Sequence, residues 1–354
     1  MIRIGQLGCK GKGKEMGNRH RRKVVPACLL AVIPFLVTSC IYFEGCGPRA
    51  RYEKQVPLSA PLEPGSSFSA QTRDGSITVE GTETNECTVL ATVVTHARTP
   101  ERAEELAGQI HVKLEPSGEG LKIVIEKPRG IRNAGYSVSL EATVPTQTSL
   151  ALVTSDGAVH ITNMAGSIDA RTSDGGIQVQ DITGDAKLKT SDGAITCARL
   201  NAPMLDCYTS DGRIKLSDVM AGSCTARTSD GSITLEAVRA DSMNLRTSDG
   251  AIQCRDVAAA ETDCRTSDGS ILIEYATDAP NALNLSAVTS DGKITLAAPP
   301  GLSAVIEATS NDGSIHTNLP ITIQGKVGKS LTGTIGDGDG KVYLKTHDGS
   351  ITIR

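Results

Sequence analysis

Aspartate recurs in this chain at nearly fixed intervals. The tetrapeptide Thr-Ser-Asp-Gly occurs eight times, with its aspartates at 156, 174, 192, 211, 230, 249, 268 and 291, and related corners place Asp74, Asp312 and Asp348. A column of carboxylates offers hard oxygen ligands, and calcium takes six to eight of them. One Asp per repeat is sparser than in glycine-rich nonapeptide calcium repeats. Three residues before each Asp stand Arg171, Lys189, Tyr208, Arg227, Arg246 and Arg265, a basic stripe suited to a polyanion. Asp169, Asp206 and Asp263 lie two residues further back and would neutralise much of it. Surface ion pairs of that kind contribute about 0–1 kcal/mol each. Glycan-cleaving chemistry is the third class. It needs clustered acids and sugar-stacking aromatics, whereas His160, His316 and His347 fall in different repeats and the repeats up to Asp291 carry only Tyr208 and Tyr275. No catalytic set, metal site or cofactor motif is expected.

The elements that hold these residues are legible from the flanks of each Asp. Three and five residues after it the side chains are apolar: Ile195 and Cys197, Ile214 and Leu216, Ile233 and Leu235, Ile252 and Cys254. Eight residues after it stand Leu200, Val219, Val238 and Val257. Four and six before it stand Leu188 and Ala186, Ala226 and Cys224, Leu245 and Met243. Alternation at period two on both flanks predicts two strands per repeat, each with one inward face. A period of 18 or 19 residues predicts stacked coils, since one unit cannot bury its own apolar face. An antiparallel meander is the architectural alternative. At about 4.8 Å per coil, the stack would extend on the order of 40 Å. Thr-Ser-Asp-Gly becomes the corner: Gly supplies a positive φ, Asp an Asx-type turn, and Thr and Ser lateral bonds between coils.

Cysteines form a second pattern. Cys197 and Cys207 lie ten apart, as do Cys254 and Cys264. Each pair joins the end of one strand to an inward position on the next. They are either cross-core disulfides or buried thiols acting as small hydrophobes. Cys224 has no evident partner, and spacing alone does not decide whether Cys46 and Cys87 pair.

The N-terminus reads as an export signal over residues 1–39. Arg19, Arg21, Arg22 and Lys23 precede an apolar run from Val24 to Val37, too short to span a bilayer comfortably. It ends in Val-Thr-Ser-Cys, which resembles a bacterial lipobox and marks Cys40 for lipidation. An ordinary signal peptide or an uncleaved anchor are the alternatives. Residues 1–15 are unusual ahead of such a signal, so translation is expected to start at Met16. Residues 40–64, rich in Pro and Gly, read as a tether. Residues 65–150 read as a small β module with one helix, opened by Thr99 as N-cap and Pro100 at the first position. Glu101, Glu104 and Glu105 are its solvated face. Residues 151–354 are the repeats.

Composition narrows the function. The net charge is −4, Trp is absent, and only three Phe and six Tyr occur among 354 residues. No bulk basic character points to nucleic acid. The order of parts, "DGSITVEG", "ERAEELAGQIHVKLE", "SVSLEATVP" and then tandem Thr-Ser-Asp-Gly strands, resembles the bacterial putative-adhesin family, a β-strand-repeat domain of unknown function. The resemblance runs over roughly residues 65–354. It implies an all-β, right-handed β-solenoid at the cell envelope and transfers no binding residues. The expectation is a non-catalytic, lipid-anchored envelope protein with a structural or adhesin-like role. Its partners would be the membrane, through the anchor, and an envelope protein or polysaccharide. The last segment, "GKVYLKTHDGSITIR", is expected to close the exposed edge as a hairpin or half-coil.

Overall fold

A computed structural model describes residues 50–128, 134–323 and 328–354. Cys40, Cys46, the export signal and Met16 lie outside the described residues. In chain order the elements begin with β1 (Ala50–Pro61), β2 (Ser67–Gln71), β3 (Ile77–Thr82), β4 (Glu86–Ala97), α1 (Pro100–Gly108), β5 (His111–Ser117), β6 (Gly120–Glu126) and β7 (Gly135–Pro145). Then come β8 (Ser149–Val153), β9 (Val159–Met164), β10 (Ile168–Arg171), β11 (Ile177–Thr183) and β12 (Ala186–Lys189). Four longer strands follow: β13 (Ile195–Tyr208), β14 (Ile214–Arg227), β15 (Ile233–Arg246) and β16 (Ile252–Arg265). The chain ends with β17 (Ile271–Tyr275), β18 (Asn284–Val288), β19 (Ile294–Ala297), β20 (Ala304–Ser310), β21 (Ile315–Thr317), β22 (Thr322–Ile323), β23 (Ser330–Ile335), β24 (Gly340–Thr346) and β25 (Ile351–Ile353).

The coils stack in parallel and in register, as a solenoid requires and a meander would not. Ile177 pairs with Val159 and Ile195, and Ile195 in turn with Ile214. One ladder carries the strands before each Asp-Gly corner, the other the strands after it; we call these the pre-corner and post-corner faces. The inward rows are closed to solvent: Ile195, Ile214, Ile233 and Ile252 are all fully buried.

The spacing of five then eight after each Asp has a backbone cause. One residue per coil breaks the alternation in a left-handed conformation: Asn163, Asp181, Arg199, Asp218, Ala237 and Asp256, with φ between 52° and 58°. That residue turns the chain at the second corner. It lets β13 to β16 each run from the post-corner face of one coil into the pre-corner face of the next. Asn and Asp tolerate this conformation, whereas other L-residues lose about 1–2 kcal/mol. Ala237→Asn is therefore expected to stabilise the protein by on the order of 0.5 kcal/mol and so raise its thermal midpoint. An unchanged or lower midpoint would count against the strain.

Both ends depart from sequence order. Coil β2–β3 lies directly against β8–β9, so the stack begins inside the segment expected as a separate module. On its other side it meets β6 and β7. Residues 50–61, placed by composition in the tether, are strand β1, which pairs antiparallel with β4 along its whole length. The alternation of Val56, Leu58 and Ala60, all packed on the core, outweighs the prolines of that stretch. Helix α1 covers this end with Ala103, Leu106 and Ala107. Thr99 caps it, accepting from the Arg102 amide at 3.3 Å.

At the far end the final segment is not the closing half-coil. β24 lies between β18 and β20, and β25 between β19 and β21. Its residues explain this. Val342, Leu344, Ile351 and Ile353 are inward and fully buried, and Thr346 makes the same corner bonds as Thr289 of the coil it stacks on. It is a complete coil with two good faces, so it is sandwiched. The edge is closed instead by β23, antiparallel to β20, with β22 beyond it.

Candidate functional site

The corner is built by threonine, not aspartate. Thr190 Oγ1 donates to the Ser173 and Gly175 carbonyls of the preceding coil at 3.0 and 2.9 Å, and accepts from its own Gly193 amide at 3.2 Å. The same three bonds recur at Thr209, Thr228, Thr247, Thr266 and Thr289. These threonines are buried, while the aspartates beside them are exposed and bind the stack only through their backbone amides, as Asp192 does to the Ser173 carbonyl. The expected Asx turn is therefore absent from these copies: Thr points inward, where its hydroxyl already satisfies the corner. The expected positive φ at the corner glycines is absent too. Glycine is required there because adjacent backbones nearly touch; a Cβ on Gly193 would lie 1.9 Å from the Gly175 carbonyl oxygen.

What remains outside is an edge of carboxylates, one per coil. In water, like charges about 4.8 Å apart repel by roughly 1 kcal/mol. Asp74 shows the effect: burial, and then its hydrogen bond with Asp156 of the next coil, raise its pKa. A raised folded-state pKa means the native protein binds more protons than the unfolded chain. Its contribution therefore declines as pH rises through the window above the ordinary carboxylate pKa. Asp74→Asn is expected to raise the neutral-pH melting midpoint and flatten its dependence on pH just above the ordinary carboxylate pKa. An unaltered profile would contradict the coupling.

At one end the edge gathers Asp312, His347 and Asp348, all exposed, with ligand atoms within 4.8 Å of one another. Lys329 Nζ already bonds Asp312 at 3.2 Å, and the His347 ring bonds Asp348, which raises the histidine pKa. An ammonium thus stands where a metal would need that carboxylate. His316 Nε2 lies 3.0 Å from Ser314 Oγ, and His160 is exposed on β9, paired with Gln178 and Thr78.

The basic stripe forms as a row on the pre-corner face and is largely paired. Arg171 grips Asp169 with two bonds of 2.9 and 2.8 Å. Arg246 and Arg265 share Asp263 at 3.2 and 3.0 Å. Lys189 sits 5.0 Å from the Tyr208 ring centre. Arg227 stands between Tyr208 and Arg246 in the row. A polyanion would have to displace bonds already made.

The cysteine pairs do meet. Cys197 and Cys207 place their Sγ atoms 4.0 Å apart in the core, and Cys254 lies near enough to raise the Cys264 pKa. All four are buried thiols. Their neighbouring thiols, and then burial, push the Cys207 and Cys264 pKa values well up. Cys224 is buried between the pairs, and burial raises Cys87 to about 12.

One feature escaped the sequence: a trough of about 570 Å³ on the pre-corner face. Its floor is the row Thr225, Asn244, Asp263, Ser286 and Tyr343, one residue from each of five adjacent strand segments. One bank is the row from Ser223 and Ser242 to Lys341; the row of Arg246 and Arg265 runs along the other side of the floor without lining it. The last rung hid it: Tyr343 stands beside Ser286 only because β24 inserts after β18. Among the described residues no helix is long and apolar enough to cross a membrane.

Comparison with known proteins adds a family. Residues 184–354 match the family described as Toastrack DUF4097. Three solved structures are similar to the chain. The first is a "putative adhesin" from Parabacteroides merdae, 15% identical, covering 85% of this chain and 96% of that one, with a TM-score of 0.43. Another, from Parabacteroides distasonis, is 12% identical, covering 85% and 97%, with a TM-score of 0.41. A third, from Bacteroides fragilis, is 15% identical, covering 85% and 97%, with a TM-score of 0.32. At these scores the likenesses add nothing to the fold established by the strand register. No curated protein matches the chain.

Proposed function

We propose, from the premise that residues 184–354 form a Toastrack DUF4097 domain, that this protein is a non-catalytic extracytoplasmic scaffold with an adhesin-like role. The observation that supports it most is where polar chemistry sits. The core rows are apolar but for Thr262, which bonds the buried Tyr275 hydroxyl at 3.0 Å, and the charged groups lie on open ladders whose ion pairs join neighbouring coils. Such ladders present a long repetitive surface to a partner. Lipidation of Cys40 would hold the body at the envelope. Purified protein is expected to bind isolated cell envelopes saturably, and a Cys40→Ser chain made in cells is expected to leave the membrane fraction. Absence of envelope binding would overturn the adhesin-like role; unlipidated Cys40 in the mature protein would overturn the anchor.

Export also bears on the cysteines. In an oxidising compartment, each pair would lose two protons and two electrons to a disulfide donor and form one S–S bond. The Sγ atoms must close from 4.0 Å to about 2.05 Å. Closing two ten-residue loops contributes about 2.5 kcal/mol each. Because the folded thiols are buried away from any oxidant, the bonds would form before the coils close. Intact-mass measurement after denaturing alkylation, with and without reductant, is expected to show both bonds. Equal masses would leave the four as packing residues.

The carboxylate edge favours a second reading, calcium binding. Melting in calcium and in chelator separates the two: a calcium-dependent rise supports cation binding, and coincident curves exclude it.

A further inference from the structure

We propose that the trough on the pre-corner face binds a neutral glycan chain. This deepens the adhesin-like reading and rests on it. The trough has a floor of half-buried residues, Thr225, Asn244, Asp263, Ser286 and Tyr343. Its volume of about 570 Å³ falls within the ordinary range for ligand sites, about 300–1,000 Å³.

Its chemistry selects the ligand. Asp263 is held by Arg246 and Arg265, and Lys341 bonds Glu307 at 3.3 Å. Glu261 carries the remaining charge among the lining residues, and it is negative. Phosphate, sulfate and uronate chains are therefore disfavoured, and nucleic acid with them. A protein partner would need apolar anchors at the centre of the patch. Here the centre is hydroxyl and carboxamide: Ser242, Asn244, Asn284 and Ser286. These groups donate and accept at once, which matches the hydroxyls of a sugar. Asn244 Oδ1 is buried without a hydrogen-bond partner within the protein, and a rotation of this amide would bring it to a ligand hydroxyl. Tyr343 supplies the apolar ring face on which a pyranose can lie, at the end where Lys341 and Glu307 form the rim. Tyr208, on the neighbouring row one coil beyond Thr225, offers a second ring past the opposite end. The floor repeats at the strand spacing of about 4.8 Å, a periodic surface for a periodic polymer.

The test uses the full mature chain with three soluble probes: linear oligomers of β-linked glucose, of β-linked N-acetylglucosamine and of mannose. Titration calorimetry is expected to show binding of at least one. Tyr343→Ala should weaken it about tenfold, the loss of one stacking contact. Ser286→Arg, which fills the floor from an outward position, should abolish it, and Arg171→Ala, outside the trough, should leave it intact. Melting curves report whether each variant folds. No binding of any probe, or binding indifferent to both Tyr343→Ala and Ser286→Arg, overturns the assignment. The same variants in the envelope assay separate the two claims. Envelope binding that survives both substitutions keeps the adhesin-like reading and rejects the trough. Probe binding that depends on Tyr343, without envelope binding, keeps the trough and rejects that reading.

Discussion

Gly231→Ala is expected to unfold the middle of the stack at temperatures the wild-type protein survives. The new Cβ would lie 1.9 Å from the Gly212 carbonyl oxygen, which is backbone and cannot swing away. Relief requires two coils to part at the corner, yet the same corner is tied by Thr228 to Ser210 and Gly212 at 2.9 and 3.0 Å. The strands on both sides also pair in unbroken register. The cost should exceed about 4 kcal/mol, a magnitude reserved for failures of this kind. Because stacked repeats hold one another through nearest-neighbour interfaces, the loss should appear as early melting of a subset of coils. Gly176→Ala is the matched control. It stands one residue past a corner, where other coils carry Ala194 or Ala251, and its Cβ would meet the Ala194 carbonyl at a tolerable 3.2 Å. Thermal melts and hydrogen exchange of the two variants check this; similar stability would mean the corner opens more easily than the contact implies.

Thr247→Val has the second largest expected effect, and the comparison with Asp249→Asn assigns the corner. Valine keeps the shape of threonine but leaves the Gly250 amide without its acceptor and removes the bonds to the Ser229 and Gly231 carbonyls. A buried group left unpaired costs about 1–3 kcal/mol, so a loss of about 2–3 kcal/mol is expected. Thr247→Ser should lose only the methyl, about 0.8 kcal/mol. The coil at β20–β21 already makes that exchange, with Ser310 bonding the Gly349 carbonyl at 2.8 Å. Asp249→Asn removes one charge from the exposed edge and should be neutral or stabilising. Denaturant melts of the three variants decide the matter. If Asp249→Asn costs more than Thr247→Val, the aspartate builds the corner after all.

The sequence by itself determined the coil. Apolar residues three, five and eight after each Asp, and four and six before it, allow one arrangement of two inward faces, and Ile233, Leu235, Val238, Met243 and Leu245 all occupy it. The stripe from Arg171 to Arg265 follows from the same arithmetic, because inward and outward sides alternate along a strand; the meeting of Cys197 with Cys207 also needs the turn at Arg199 between them. Roles within the corner did not follow. Thr, Ser, Asp and Gly recur together, so recurrence cannot say which side chain is buried. Only the packed corner shows Thr247 facing its neighbours and Gly250 pressed against the Gly231 carbonyl. The left-handed residue was visible only as the odd step from five to eight. Tertiary structure alone decided the ends. β2–β3 and β24–β25 are each flanked by strands distant in sequence, because a complete coil gains two interfaces inside the stack and only one at its edge. That insertion sets Tyr343 beside Ser286, and with it the trough that no spacing in the sequence records.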